Sequence, residues 1–269
     1  MTRELKRIIY SAVIDAKGKM ASAEVARSVS DASGLDRKVV RQAIRQMVAS
    51  EELAYTYIYG TSFLEPSFNR PVRISERIVL KPPEKAYQVH PGDIVIDIAS
   101  GAAFGTGTHP TTCLVLRALD RLFRREAEML PSGPLAGLDI GTGSGILAIA
   151  LAHLGVQEVV GNDIDPCAIS EARRNVSINE VSEQVYITDR PFEELGTTFS
   201  IILANLAAPT LKNLSSAVAK KTVRGGVVII SGFKKELLMS LTRTYGERGL
   251  TLVREATERN WACMVLRNE

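Results

Sequence analysis

The 269-residue sequence predicts an α/β protein, with a mostly parallel sheet covered by helices on both faces and a small α+β domain in front of it. Three observations predict this class. From residue 136 onward, apolar strand-like runs alternate with helical patterns. A glycine-rich turn at 141–145 joins the first of these strands to a helix. Ahead of both, three short amphipathic helices precede an alternating, aromatic strand pattern.

Taken from the N-terminus, residues 3–16 place Leu5, Ile8, Ile9, Ala12, Val13 and Ala16 at spacings of three and four, which predicts a helix ended by Gly18. Ser22 reads as the N-cap of a second helix carrying Val25, Ala26 and Val29 inward. Asp36 reads as the cap of a third, with Val39, Val40, Ile44, Met47 and Val48 inside and Arg37, Lys38, Arg41 and Arg45 on the other side. Residues 53–59 alternate as a strand, 60–62 form a turn, and Phe63-Leu64 begin a return strand. Three helices and then a hairpin resemble a winged helix, placed at residues 1–64. Pro66, Pro71, Pro82, Pro83 and Pro91 mark 65–92 as a connector, which leaves 93–269 as the main domain.

In that domain, strands are expected at 136–141, 158–163, 184–188, 199–205 and 225–231. Helices at 146–154 and 166–179, and around 208–221 and 234–248, separate them. Two last strands, near 251–257 and 261–267, are close enough in sequence to pair as an antiparallel hairpin. Alternating βα units make a Rossmann-like sheet whose carboxyl edge faces a ligand crevice.

Composition narrows the function classes. Apolar residues at 45% and charged residues at 23% are ordinary for a globular protein with a full core. No apolar run approaches the roughly 18 residues a membrane helix needs, so no membrane partner is expected. The N-terminus has mixed charges and no apolar block with a cleavage site, which argues against a secretory signal. Cys113, Cys167 and Cys263 have no metal-ligand spacing, so no metal is expected. They read as small buried apolar groups in a reducing cytoplasm. The net charge of +3 is concentrated: residues 1–70 carry 11 Lys/Arg against 8 Asp/Glu, while the remainder carries 22 of each. That asymmetry points mildly to an acidic partner.

The strongest motif is Leu138-Asp139-Ile140-Gly141-Thr142-Gly143-Ser144-Gly145, followed by an apolar helix. Glycines let the backbone approach a ligand closely, and the helix start adds unpaired N–H groups and partial positive charge. Asp163, at the end of the next strand, is placed to accept hydrogen bonds from ribose hydroxyls. Together they predict a site for an adenosine-type ligand. A dinucleotide fingerprint would put its third glycine one residue later than Gly145. Asp139 would also repel a pyrophosphate, whereas the cationic amino-acid end of S-adenosyl-L-methionine suits it, directly or through the loop backbone. Phe104, in the Gly/Thr-rich segment 101–112, could cover such a ligand. Within the same segment His109 is either a base or a structural residue. Asn205 ends the fourth core strand, where its amide could accept a hydrogen bond from an incoming amine or cap the next helix.

Segments 101–112, 138–149, 161–166 and 204–209, together with Pro66, the Arg77–Pro83 string, 225–232 and Trp261, resemble the PrmA family. The string Phe104-Gly105-Thr106-Gly107-Thr108-His109-Pro110-Thr111-Thr112 is its most specific part. The resemblance implies a seven-stranded class I methyltransferase sheet, S-adenosyl-L-methionine as cofactor, and methylation of amino groups on a large-subunit ribosomal protein. It implies that Thr112, Gly141, Asp163 and Asn205 contact the cofactor; Phe104, Gly105, Thr106, Asp139, Gly143 and Gly145 join them as the neighbouring motif positions. Asn205 is also the expected catalytic residue. The family begins with a small ferredoxin-like domain, but residues 1–64 place three helices before any strand, so the substrate-recognition element is expected to be replaced. The expected activity is N-methylation of a protein. Two alternatives stand beside it: a winged-helix regulator using Arg37, Lys38, Arg41 and Arg45 on DNA, and a methyltransferase for nucleic acid or a small molecule.

Overall fold

A computed structural model describes residues 2–14, 16, 18–58, 61–99 and 107–269. The chain divides into two compact units after Pro71.

The first unit runs α1 (Arg3–Ile14), β1 (Met20–Ala21), α2 (Ser22–Ser33), α3 (Arg37–Ala49), β2 (Leu53–Ile58) and β3 (Thr61–Pro66). Its sheet has the order β1-β3-β2, and both pairings are antiparallel. The helical apolar stripes meet in one core of Ile9, Val25, Val29, Val40, Ile44 and Met47, closed by Leu53 and Leu64 from the hairpin. Asp36 caps α3 as its sequence position suggests, accepting from the Lys38 N–H at 2.6 Å. Ser22 is not the cap of α2. Ala21 holds that position, and the Glu24 carboxylate reaches back to its N–H at 2.8 Å. Val39, expected inside, is exposed on the outer face of α3.

The second unit begins within the span expected to be a connector. Residues 72–97 form a small sheet instead, of β4 (Val72–Arg73), β5 (Ile78–Lys81) and β6 (Ile94–Asp97) in the order β4-β5-β6. The physical reason is Ile78-Val79-Leu80, a fully buried apolar run that must be covered on both sides. Pro82 and Pro83 end that strand but do not keep the chain open.

The main sheet follows the predicted alternation: α4 (Pro110–Arg125), β7 (Ala136–Ile140), α5 (Ile146–His153), β8 (Glu158–Asn162), α6 (Pro166–Ile178), β9 (Val185–Thr188), β10 (Phe199–Asn205), α7 (Ala208–Lys221), β11 (Thr222–Lys234), α8 (Leu238–Gly246), β12 (Leu250–Glu258) and β13 (Trp261–Asn268). Its seven strands are ordered β12-β13-β11-β10-β7-β8-β9. The β11–β10–β7–β8–β9 pairings are parallel, and β13 enters antiparallel between β11 and β12. The central strands β10 and β11 are continuous buried runs, Ile201 to Ala204 and Val227 to Ile230, as a sheet covered on both faces requires. Of the three cysteines expected to be buried, Cys113 and Cys263 are; Cys167, in the first turn of α6, is exposed. All three are free thiols. Among the described residues no helix is long and apolar enough to cross a membrane.

Candidate functional site

The chain leaves β7 at Ile140 and turns sharply. Gly141 adopts φ +70°, which favours glycine, and a Cβ there would lie 2.5 Å from Leu206 Cδ2, so that side chain would have to shift. The N–H groups of Gly141 and Thr142 both donate to the Asn162 carbonyl, at 2.8 and 2.9 Å, which ties the turn to the end of β8. The Gly143 N–H donates to Asp163 Oδ2 at 2.9 Å, and the Asp165 N–H donates to Asp163 Oδ1 at 3.1 Å. The carboxylate is therefore aimed by backbone on both sides, and each oxygen keeps a second lone pair for a ligand hydroxyl.

Asp139 is buried beneath this turn. Its Oδ2 accepts from the Thr142 hydroxyl at 2.7 Å, and its Oδ1 is unpaired among the described residues. Burial pushes its carboxyl up to about 7, and the charge of Asp163 acts in the same direction. Asp139 thus acts on the turn from within, through Thr142, and does not itself form part of the cavity wall.

Opposite the turn, β10 ends at Asn205. Its Nδ2 donates to Thr112 Oγ1 at 3.3 Å, and its Oδ1 is buried with no partner among the described residues. The amide is therefore oriented with its acceptor oxygen uncommitted. Asn205 is not the cap of the following helix, because α7 starts at Ala208 with Ala207 in the cap position. His109 is the cap of α4: its Nδ1 accepts from the Thr111 N–H at 3.3 Å and lies 2.8 Å from Thr111 Oγ1. Its ring meets Trp261 edge-on, 5.1 Å between centroids, and Lys234 Nζ sits 3.6 Å above the Trp261 ring. Of the two readings of His109, the geometry supplies the structural one directly.

These walls enclose a cavity of about 730 Å³ at the carboxyl ends of β7, β8 and β10, within the size range of ligand pockets. Gly141, Gly143 and Asp163 line it from one side, and Asn205, Leu206 and Trp261 from the other. Four of the expected site residues, Gly141, Gly143, Asp163 and Asn205, thus come together on its wall. Thr112, Asp139 and Gly145 stand behind it: Thr112 is buried against Asn205, and Gly145 packs against Ala172 of α6. Phe104, Gly105 and Thr106 lie outside the described residues.

Four contributors escaped the sequence reading. Ile164, 90% exposed, projects an apolar side chain into the cavity wall beside Asp163, and Phe192 lines it from the loop after β9. An apolar residue directly after a strand-ending acid was the available signal for the first. Asn175, fully buried on α6, donates from Nδ2 to the Ser144 carbonyl at 2.8 Å and accepts the Ala99 N–H on Oδ1 at 3.1 Å. One turn on, Asn179 accepts the Asp97 N–H at 2.9 Å and donates to the Asp97 carbonyl at 2.7 Å. Together they fasten 97–99, the approach to the Gly/Thr-rich segment, to the glycine turn.

A seven-stranded sheet in this order, with a glycine turn after β7 and an aimed carboxylate after β8, is the fold of the class I S-adenosylmethionine-dependent methyltransferases. More narrowly, the chain belongs to the ribosomal protein L11 methyltransferase (PrmA) family, whose family model matches residues 66–269. A ribosomal protein L11 methyltransferase of Geobacter sulfurreducens is 41% identical over 199 residues, covering 74% of this chain and 63% of the relative. The corresponding protein of Geotalea daltonii is 38% identical over 200 residues, covering 73% of this chain and 64% of the relative. The chain therefore spans somewhat under two thirds of the length of these curated relatives. Among solved structures, a ribosomal protein L11 methylase from Lactobacillus delbrueckii subsp. bulgaricus superposes with a TM-score of 0.66 at 25% identity, covering 74% of this chain and 99% of that one.

Proposed function

We propose that the chain transfers a methyl group from S-adenosyl-L-methionine to an amino group of a protein, in the cytoplasm, with ribosomal protein L11 the first substrate to assay. The observation that carries this reading is the uncommitted Oδ1 of Asn205, held by Thr112 in the wall of the cavity that the glycine turn and Asp163 also line.

The residues present fit that cofactor. Gly141 and Gly143 line the cavity without side chains of their own, so a ligand can approach the backbone of the turn closely. Asp163 would hold the ribose, Ile164 and Phe192 would flank the base, and the turn, stiffened by Asp139 through Thr142, would face the amino-acid end. The cofactor supplies a methyl group already activated on a sulfonium.

The work left to the protein is positioning, which favourable intramolecular models value at about 7–11 kcal/mol. An amine nucleophile must also be neutral, although a free lysine has a pKa of about 10.4. The apolar surfaces of Leu206 and Trp261, on the Asn205 side of the cavity, disfavour the ammonium form. Asn205 Oδ1 accepts one N–H of that amine and so turns its lone pair towards the methyl group. A ring-nitrogen methyl acceptor without an N–H would leave this oxygen unpaired, which favours a substrate that carries a donor hydrogen on the reacting atom.

The first unit supports a docking role. Its order α1-β1-α2-α3-β2-β3, with an antiparallel hairpin closing three helices, fits a winged helix, a module that engages partners through its third helix and hairpin.

Labelled methyl transfer into L11 and into whole-cell extract, read by mass spectrometry, tests the reading. Asn205→Ala should lower turnover at least about a hundredfold, the scale of losing one aimed polar group. Its affinity for the cofactor, measured by calorimetry, should change by less than about threefold, under 1 kcal/mol. Unchanged turnover, or label found only on nucleic acid or small molecules, would overturn the reading.

A further inference from the structure

The outer face of α3 contributes no residue to the cavity proposed for methyl transfer. The inner face of the helix, Val40, Ala43, Ile44 and Met47, is spent on the core. The outer face presents Arg37, Lys38, Arg41, Gln42, Arg45 and Gln46, all exposed, and the helix contains no acidic residue. Lys38, Arg41 and Arg45 form a stripe at spacings of three and four, which is one face of a helix.

Of the described acids of this unit, all but Glu4 are engaged in ion pairs, caps or hydrogen bonds, Asp31 and Asp36 at α3 itself. Glu52 pairs with Lys6, Glu65 with Lys19, Asp31 with Arg37, and Asp36 and Glu24 are spent on helix caps. Among the described residues, Lys38, Arg41 and Arg45 have no ion-pair partner. Three unpaired cations on a rigid helix repel one another, and a partner carrying closely spaced negative charge removes that cost. The hairpin adds Tyr55 and Tyr57, 50% and 73% exposed. By strand alternation both share the sheet face of Leu53, which packs in the helical core, so they continue that face beyond it.

We infer that α3 docks this protein onto double-stranded DNA. The charge calls for a polyanion, and the shape selects among polyanions. An α-helix with its side chains is about 10–12 Å across and fits a B-form major groove about 12 Å wide. The major groove of A-form RNA is too narrow to admit it. Gln42 and Gln46, exposed along one side of the cation stripe, carry the paired donor and acceptor that base edges present in that groove, and the exposed Val39 offers an apolar contact for a thymine methyl. Lys38, Arg41 and Arg45 meet phosphates. This binding activity stands independently of methyl transfer.

The test is fluorescence anisotropy of a 20-base-pair DNA duplex titrated with the full chain between 50 and 200 mM salt. Three to four phosphate contacts give a slope of log Kobs against log[salt] of about −3 to −4, so affinity falls about a hundredfold across that range. Arg41→Ala/Arg45→Ala should flatten the slope by about 2 while leaving the circular dichroism spectrum and cofactor affinity unchanged. Arg243→Ala, an exposed arginine on α8, should change nothing. Absence of binding at 50 mM salt, a slope untouched by the double substitution, or equal binding of a matched RNA duplex or heparin would each overturn the inference.

Discussion

Replacing Asp139 by Asn should change how the stability of this fold depends on pH. The carboxyl is 1% exposed, and burial raises its pKa to about 7. In the unfolded chain an aspartate titrates near about 3.9. A carboxyl raised on folding contributes most below its unfolded value, and that contribution is lost as pH climbs to the folded value. Each pKa unit corresponds to about 1.4 kcal/mol, so the full loss, between about pH 4 and 7, approaches 4 kcal/mol. Between pH 5.5 and 8.5 the wild type crosses only the last 1.5 units of that window and should lose about 2 kcal/mol.

In the Asn variant that loss should vanish. The new amide still offers Thr142 an acceptor, but places an N–H where Oδ1 now has no partner, at a cost of about 1–3 kcal/mol at every pH. The diagnostic quantity is therefore the difference in pH dependence, not absolute stability. His153, whose pKa is lowered first by burial, loses stability as pH falls; it does so in both proteins and cancels in the comparison. Urea denaturation at pH 5.5, 7 and 8.5 measures the effect. Identical pH profiles for the two proteins would refute the assignment of a buried carboxyl titrating near neutrality.

Asp163→Ala should weaken the cofactor by roughly 10- to 150-fold in calorimetry, the range for charge-assisted hydrogen bonds of about 1.5–3 kcal/mol. Gly232→Ala should destabilise the fold by about 3 kcal/mol or more in the same urea assay. Its φ is +93°, and the new Cβ would lie 2.4 Å from the Leu206 carbonyl oxygen, a backbone atom that cannot rotate away. Asn175→Ala should cost about 2–4 kcal/mol, since it strands the Ser144 carbonyl and the Ala99 N–H together, and should lower the melting temperature measured by scanning calorimetry.

The parts of this protein that were legible in its sequence are those built from local pattern. Strand–helix alternation from residue 136 reads directly, because β10 and β11 contain continuous apolar runs and α5 is apolar from Ile146 to Ala152, directly after the glycine turn. The glycine turn and Asp163 read for the same reason: their geometry is set within a few residues of each. The small sheet at 72–97 was hidden because its strands are two to four residues long and sit among prolines. Side-chain roles that depend on distant partners were not legible. Nothing near Thr112 in sequence shows that it orients Asn205, 93 positions away, and nothing in the helical pattern of 166–178 distinguishes Asn175 from a solvent-facing amide. Asn205 itself read equally well as a helix cap until the start of α7 at Ala208 removed that role.

The two amides on α6 have a mechanical consequence. Asn175 grips both the rim of the glycine turn and the chain at Ala99, while Asn179 grips the backbone of Asp97. A single rigid rod therefore serves as the common datum for two stretches otherwise separated by about forty residues. Any small slide or tilt of that rod carries both stretches the same way, so the spacing between them is conserved through thermal motion. Register at this site is kept by a shared anchor, without needing a stiff connection between the two stretches themselves.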